Sequence, residues 1–234
     1  MITMRLSTIF ASVGAVLLDF DGPVCTTFAG YPSPQITDQM RRTLANTYPD
    51  ALDRCRHRYP LHALAELGDL PQQVHDDLER IIQRGELRAA ESATATPGAA
   101  GFLSACRAAR LPVVIVTNNY EAAVVRYLAR TRLTEYVAAV VARDTTDSAL
   151  MKPHPHLVQR AMEQVAVAAE KCVLVGDSDT DIQAAVDAGT LSIGYANKPG
   201  KAEQFTALGA NSIVTDMSEL TAAVQQAQDA VRPS

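Results

Sequence analysis

Lysine is scarce in this chain of 234 residues: Lys152, Lys171, Lys198 and Lys201 stand against 17 arginines. There is no basic excess either, since the formal net charge is −5. A broad nucleic-acid-binding surface needs such an excess, so that class of partner is not expected. No apolar run reaches the roughly 18 to 20 residues that a membrane span requires. The four cysteines (Cys25, Cys55, Cys106 and Cys172) show no metal-ligand spacing. Cys106 and Cys172 lie inside apolar segments, where a free thiol packs as a small hydrophobe. That usage fits a reducing cytoplasm. Internal repeats and low-complexity segments are missing too. Arg5 and the following LSTIFASVGAVLL resemble a secretory leader, but the small-x-small sites at 11–13 and 13–15 match poorly. Cleavage there would trim an apolar strand, so the segment is expected to be folded core.

What is present reads as a globular protein, 47% hydrophobic and 20% charged. Its length allows one large domain, or one domain carrying an insertion. From residue 97 onward strand and helix alternate. LPVVIVTNN (111–119), YVAAVVA (136–142), KCVLVGD (171–177), LSIGYA (191–196) and NSIVTD (211–216) are strand-like. AVLLDF (15–20) is one more. Near-continuous apolar strands separated by amphipathic helices predict an α/β fold with a parallel sheet covered on both faces. The interval 24–95 breaks the rhythm. It holds no convincing strand, and PQQVHDDLERIIQRGELRAA places its apolar residues at helical spacing. Residues 1–23 and 96–234 are therefore expected to form the core. Residues 24–95 are expected to form a helical insertion hinged near the end of the first strand.

In an open parallel sheet the carboxyl ends of the strands line the ligand crevice. Those ends offer Asp19 and Asp21, then Thr117 and Asn118, then Asp177, Ser178, Asp179 and Asp181. Lys152, followed by Pro153, lies in the loop before the helix leading to the last of these. Facing carboxylates cannot all ionise without compensating charge. Oxygen-only, highly anionic ligands suit a hard divalent cation, and Mg²⁺ leaves room for substrate phosphate. In a chain that prefers arginine, Lys152 reads as a required point charge. Together the groups describe a site for phosphoryl transfer.

DFDGP (19–23), VTN (116–118), KP (152–153) and GDSDTD (176–181) resemble, in order, the four motifs of the haloacid-dehalogenase-like superfamily. The stretches PGAAGFLSACRAARLPVVIVTNN and GDSDTDIQAAVDAGTLSIGYAN look like its phosphoglycolate-phosphatase and β-phosphoglucomutase relatives. The resemblance implies a Rossmann-like three-layer core with a small helical cap. It implies Asp19 as the nucleophile that becomes an aspartyl-phosphate, and Asp21 as general acid and then base. Thr117 and the Asn118 N–H would hold the transferring phosphoryl group, and Lys152 would neutralise its charge. Mg²⁺ would be bound by Asp19, the Asp21 carbonyl and Asp177, with Asp181 close behind. The substrate would be a small phosphorylated metabolite. Pro23 departs from the family's usual Thr or Val.

Several positions carry plainer readings. Thr117 can cap the helix that begins near Tyr120, and Asp179 and Asp181 can serve the dipole of the following helix. His154 and His156 read as helix-start or surface residues, and Cys25 as packing. Arg54, Arg56 and Arg58 in DRCRHRYP are either a solvated helix face or substrate contacts from the cap. Three other functions stay open: a phosphomutase with the same acids, a haloacid dehalogenase, which Asp21 argues against, and a catalytically silent domain. Oligomeric state is not legible.

Overall fold

The apolar runs become six of the eight strands in the computed structural model, which describes residues 4–144 and 147–231. The eight are β1 (Ala15–Leu18), β2 (Cys25–Thr26), β3 (Thr94–Ala95), β4 (Val113–Thr117), β5 (Ala139–Ala142), β6 (Cys172–Gly176), β7 (Leu191–Tyr195) and β8 (Ser212–Val214). Six of them form one parallel sheet in the order β5-β4-β1-β6-β7-β8. The strands at its centre, β1, β4 and β6, are buried along their whole length. That is why they read as unbroken Val, Leu and Ile rather than as an alternating pattern.

Alternate residues sort to the two faces of the sheet. Ala15, Leu17, Val114, Val116, Cys172 and Leu174 pack with Leu157, Val158 and Ala161 of the helix His156–Val165. Ala184 and Ala185 of the helix Asp179–Ala188 join the same cluster. Helices Leu6–Ser12, Ala99–Ala108 and Met217–Val231 pack on one another, with Phe10 and Phe102 edge to face at 5.9 Å. A sheet between two layers of helices gives the expected three-layer α/β core.

The chain divides into two compact units. One takes the chain up to Thr26 and from Ala95 onward, and the other is Thr27–Thr94. The division falls where β2 and β3 pair as a two-stranded ribbon. This corrects the expectation that 24–95 holds no strand; two residues on each side leave no periodicity to read. The inserted unit has its own core, in which Ile36, Met40 and Leu44 of the helix Pro34–Thr47 meet Leu78, Ile81 and Ile82 of the helix Gln72–Ser92. Sequence reasoning also left unassigned the helices Leu6–Ser12 and Lys201–Leu208. The first is folded, with Ile9 and Phe10 buried. Among the described residues no helix is long and apolar enough to cross a membrane.

Candidate active site

Strand order reverses about β1, because the chain leaves it toward β4 and β5 and returns through β6, β7 and β8. Such a reversal opens a crevice at the carboxyl ends of the strands. The ends of β1, β4 and β6 are where Asp19, Thr117 and Asp177 stand. Asp19 N donates to Val175 O at 2.9 Å, so the β1–β6 ladder extends into the acid pair. Phe20, fully buried and 5.3 Å edge-on from Tyr127, anchors the chain between the two acids. Asp21 is half-buried and bridges to Cys25 through its backbone. Gly22 then turns the chain with φ +109°, and a Cβ there would lie 2.4–2.7 Å from the Asp177 carboxylate group. Only glycine allows that approach.

Pro23 sits inside this turn. Phe20 O accepts from the N–H groups of Val24 and Cys25, while Thr96 donates through its hydroxyl to Gly22 O and through its N–H to Val24 O. The turn is fastened through carbonyls on either side of Pro23, so these bonds require no N–H from the proline.

Lys152 is the hinge of the electrostatics. Its Nζ donates to Asp19 Oδ1 at 2.7 Å, to Asp181 Oδ1 at 2.6 Å and to Val116 O at 2.8 Å. All three ammonium donors are used, as a buried cation requires. Its backbone is held by a reciprocal pair: Asn118 Nδ2 donates to Lys152 O at 3.0 Å, and Lys152 N donates to Asn118 Oδ1 at 2.9 Å. The buried Arg143 adds a bond from Nη1 to Asn118 O at 2.8 Å. The Asn118 side chain thus positions the lysine, a part the sequence reading had not given it.

Thr117, also buried, accepts from Asn119 N at 3.0 Å and donates to Asn119 Oδ1 at 2.9 Å. It does not cap the helix Glu121–Thr131, whose N-cap Tyr120 makes no side-chain cap bond. Asp181 uses its two oxygens differently. With Ser178 it completes a capping box on the helix Asp179–Ala188, Oδ2 accepting from Ser178 N at 3.0 Å. Its Oδ1 meanwhile faces Lys152. Gly176 makes room, since a Cβ there would fall 2.3–2.5 Å from the Asp181 side chain. Asp179 is exposed in the first helical turn, where its charge suits the dipole.

Asp177 has a partner that sequence reasoning missed. Lys201 Nζ donates to its Oδ2 at 2.7 Å, to Asn197 Oδ1 at 2.8 Å and to the Asp177 carbonyl. Asn197 Nδ2 donates to the same Oδ2 at 2.9 Å. Two of the four lysines therefore serve this one cluster. The scarcity of lysine was the available signal, and it had been applied to Lys152 alone.

Asp19, Asp177 and Asp181 each bring a carboxylate oxygen within 4.8 Å of the others. Burial raises the Asp19 carboxyl well above its ordinary pKa; Asp181 and Asp177 push it further, and Lys152 only partly offsets them. Burial alone would lower the Lys152 ammonium, but Asp181 and Asp19 outweigh that and hold it protonated. The cluster is short of positive charge even with both lysines in place. An all-oxygen, over-anionic donor set of this kind fits Mg²⁺.

A model of the family described as haloacid dehalogenase-like hydrolase matches residues 13–189. The chain belongs to that family. A phosphoglycolate phosphatase of Cupriavidus necator, plasmid-encoded, is 29% identical over 95% of this chain and 98% of its own. A haloacid dehalogenase family hydrolase of Deinococcus radiodurans, solved with bound phosphate and sodium, is 28% identical with a TM-score of 0.61, covering 93% of this chain and 97% of that one. CbbY of Rhodobacter sphaeroides, solved with phosphate, shares the fold at 19% identity and a TM-score of 0.69, covering 91% and 99%.

In this hydrolase the three arginines singled out from DRCRHRYP all lie in the inserted unit. Arg54 pairs with Asp69, and Arg56 Nε donates to Asp53 O at 2.8 Å. The backbone between them and Arg58 is clamped. Arg41 donates to the carbonyls of Cys55, Arg56 and His57, and Glu66 Oε2 accepts from the N–H groups of Arg56 and His57. Thr37 Oγ1 donates to Arg58 O at 2.9 Å. The Arg58 side chain is exposed, and no described residue takes it up. His154 Nδ1 accepts from His156 N at the start of the helix His156–Val165, a helix-start role.

Proposed function

We propose that this hydrolase is a Mg²⁺-dependent phosphatase of a small phosphomonoester, working through an aspartyl-phosphate on Asp19. The carrying observation is the buried Lys152 ammonium shared between Asp19 Oδ1 and Asp181 Oδ1. It fixes one oxygen of Asp19, and no described residue donates to the other, which is thereby the attacking atom. Asp21, two residues on and half-buried, protonates the leaving oxygen and then takes a proton from the hydrolytic water. Thr117 and the N–H of Asn118 hold the transferring phosphoryl oxygens, and Lys152 offsets their charge. Asp19, Asp177 and the Asp21 carbonyl would hold Mg²⁺, with Asp181 behind them. When bound, the cation would offset the repulsion between these carboxylates and the incoming phosphate.

The names of the curated relatives make 2-phosphoglycolate the first ester to try. The four cysteines are free and buried, which supports a reducing cytoplasmic setting. Turnover of p-nitrophenyl phosphate with and without Mg²⁺, on wild type and Asp19→Asn, tests the reading. Mg²⁺-dependent hydrolysis lost in the variant supports it. No turnover on that compound or on a panel of phosphate esters would sink it.

A further inference from the structure

We infer that Lys201 is a positioning residue that sets which divalent cation the carboxylate cluster accepts. The inference rests on the metal-dependent reading above and concerns a residue outside the four motifs. Gly200, at φ +84°, ends the loop after β7 and starts the helix Lys201–Leu208. That turn delivers the Lys201 ammonium to two oxygens of Asp177 and one of Asn197. Asn197 returns a second donor to Asp177 Oδ2. One oxygen of Asp177 thus has two donors, while no described residue donates to Oδ1.

The same arrangement recurs across the cluster. Asp19 has Oδ1 on Lys152. Asp181 has Oδ1 on Lys152 and Oδ2 on Ser178. None of the three acids presents both oxygens together. Ca²⁺ prefers six to eight ligands and readily takes both oxygens of a carboxylate, whereas Mg²⁺ holds single oxygens in a strict octahedron. A cation needing both oxygens of Asp177 must displace Lys201 and Asn197. Lys201 is also the ammonium that can be removed without disturbing Lys152, and its side chain is 19% exposed.

The test is isothermal titration of the metal-free protein with MgCl₂ and with CaCl₂, on wild type, Lys201→Met and Asn197→Ala. Removing a positive charge strengthens both cations, so the ratio of the two dissociation constants isolates selectivity. Lys201→Met is expected to shift that ratio toward Ca²⁺ by about tenfold or more, and Asn197→Ala by less in the same direction. A ratio within about twofold of wild type in Lys201→Met overturns the inference. If thermal melting shows that Lys201→Met fails to fold, an unchanged ratio in Asn197→Ala overturns it instead. Wild type that binds no Mg²⁺ brings down the metal reading together with this one. A wild type that binds Mg²⁺ with an unmoved ratio brings down this one alone.

Discussion

Lys152 Nζ lies 2.6 Å from Asp181 Oδ1, and that one contact joins a helix cap to the counter-ion of Asp19. Lys152 and Asp181 are almost wholly buried, so neither charge is screened by water. Lys152→Met is expected to leave Asp19 and Asp181 uncompensated. Breaking a buried pair in this way costs about 3–5 kcal/mol, readable in urea unfolding. In enzyme that still folds, kcat should fall by roughly 10²–10³-fold, the usual loss when a preorganised charge is removed. Lys152→Arg should not restore it, because a planar fork cannot place one point charge on three acceptors. Rescue by arginine would show that charge alone matters.

Asp21 has two proposed steps, and they respond differently to its loss. Asp21→Asn should lower steady-state turnover by about 10²–10⁴-fold, the range for a positioned acid–base group. With p-nitrophenyl phosphate the leaving group needs little protonation, so phosphorylation of Asp19 should survive better than hydrolysis of the intermediate. A rapid-mixing burst of p-nitrophenol near one equivalent is the expected signature. Equal slowing of both phases would assign Asp21 some other role.

The core was legible because its signals are local and repeated. β1, β4 and β6 are unbroken apolar runs ending in polar residues, and a sheet buried on both faces produces that pattern. Asp19, Asp177 and Asp181 could be named because each follows such a run, and Lys152 because its KP falls in order among the motifs of a chain that otherwise prefers arginine. What was not legible depends on contacts far apart in sequence. Asn118 on the Lys152 backbone spans 34 residues, and Lys201 on Asp177 spans 24. The scarcity of lysine draws the eye to Lys201, but nothing in NKPGK says which strand end it meets. The ribbon of β2 and β3 escaped for the opposite reason, since two-residue strands have no period. Arg41 has no sequence signal that sets it apart from other helical arginines, yet its guanidinium holds three loop carbonyls.

Arg54 and Arg56 are engaged inside their own unit, which leaves Arg58 as the arginine we propose for an anionic substrate. Arg58→Ala should raise KM for a dianionic or carboxylated ester by roughly tenfold, the scale of a lost charge-assisted hydrogen bond. Both kcat and the KM for p-nitrophenyl phosphate should change little. Steady-state kinetics on both ester types check this, and unchanged kcat/KM for every anionic substrate would sink it.

Asp19 should also reveal itself in stability. An acid whose folded pKa lies above its unfolded value binds its proton more tightly when folded. Its favourable contribution is complete below the unfolded value of about 3.8 and is lost as pH rises through the raised folded value. At neutral pH the metal-free enzyme therefore carries Asp19 as a cost, and Asp19→Asn should melt higher than wild type. Each kcal/mol recovered corresponds to about 2–4 °C for a chain of this size. Near pH 4 the two proteins should converge. Adding Mg²⁺ at neutral pH should narrow the gap from the wild-type side. A variant that melts lower at neutral pH, and no closer at pH 4, would contradict the charge imbalance.

Gly22 gives the sharpest steric test of how the two strand ends meet. Its φ of +109° and the 2.4–2.7 Å approach of a hypothetical Cβ to the Asp177 carboxylate group make two separate demands on glycine. Gly22→Ala should cost about 1–3 kcal/mol for the backbone alone, with the displaced carboxylate adding to it. Mg²⁺ affinity, read by titration calorimetry, should fall as Asp177 is pushed from its place. The two demands separate in an Asp177→Ala background, where the carboxylate is gone but φ is unchanged. There the stability cost of Gly22→Ala should shrink to its backbone part, an interaction energy of about 0.5–3 kcal/mol in a double-mutant cycle. A cost that does not shrink would mean that the turn, rather than the packing of Gly22 on Asp177, is what demands glycine.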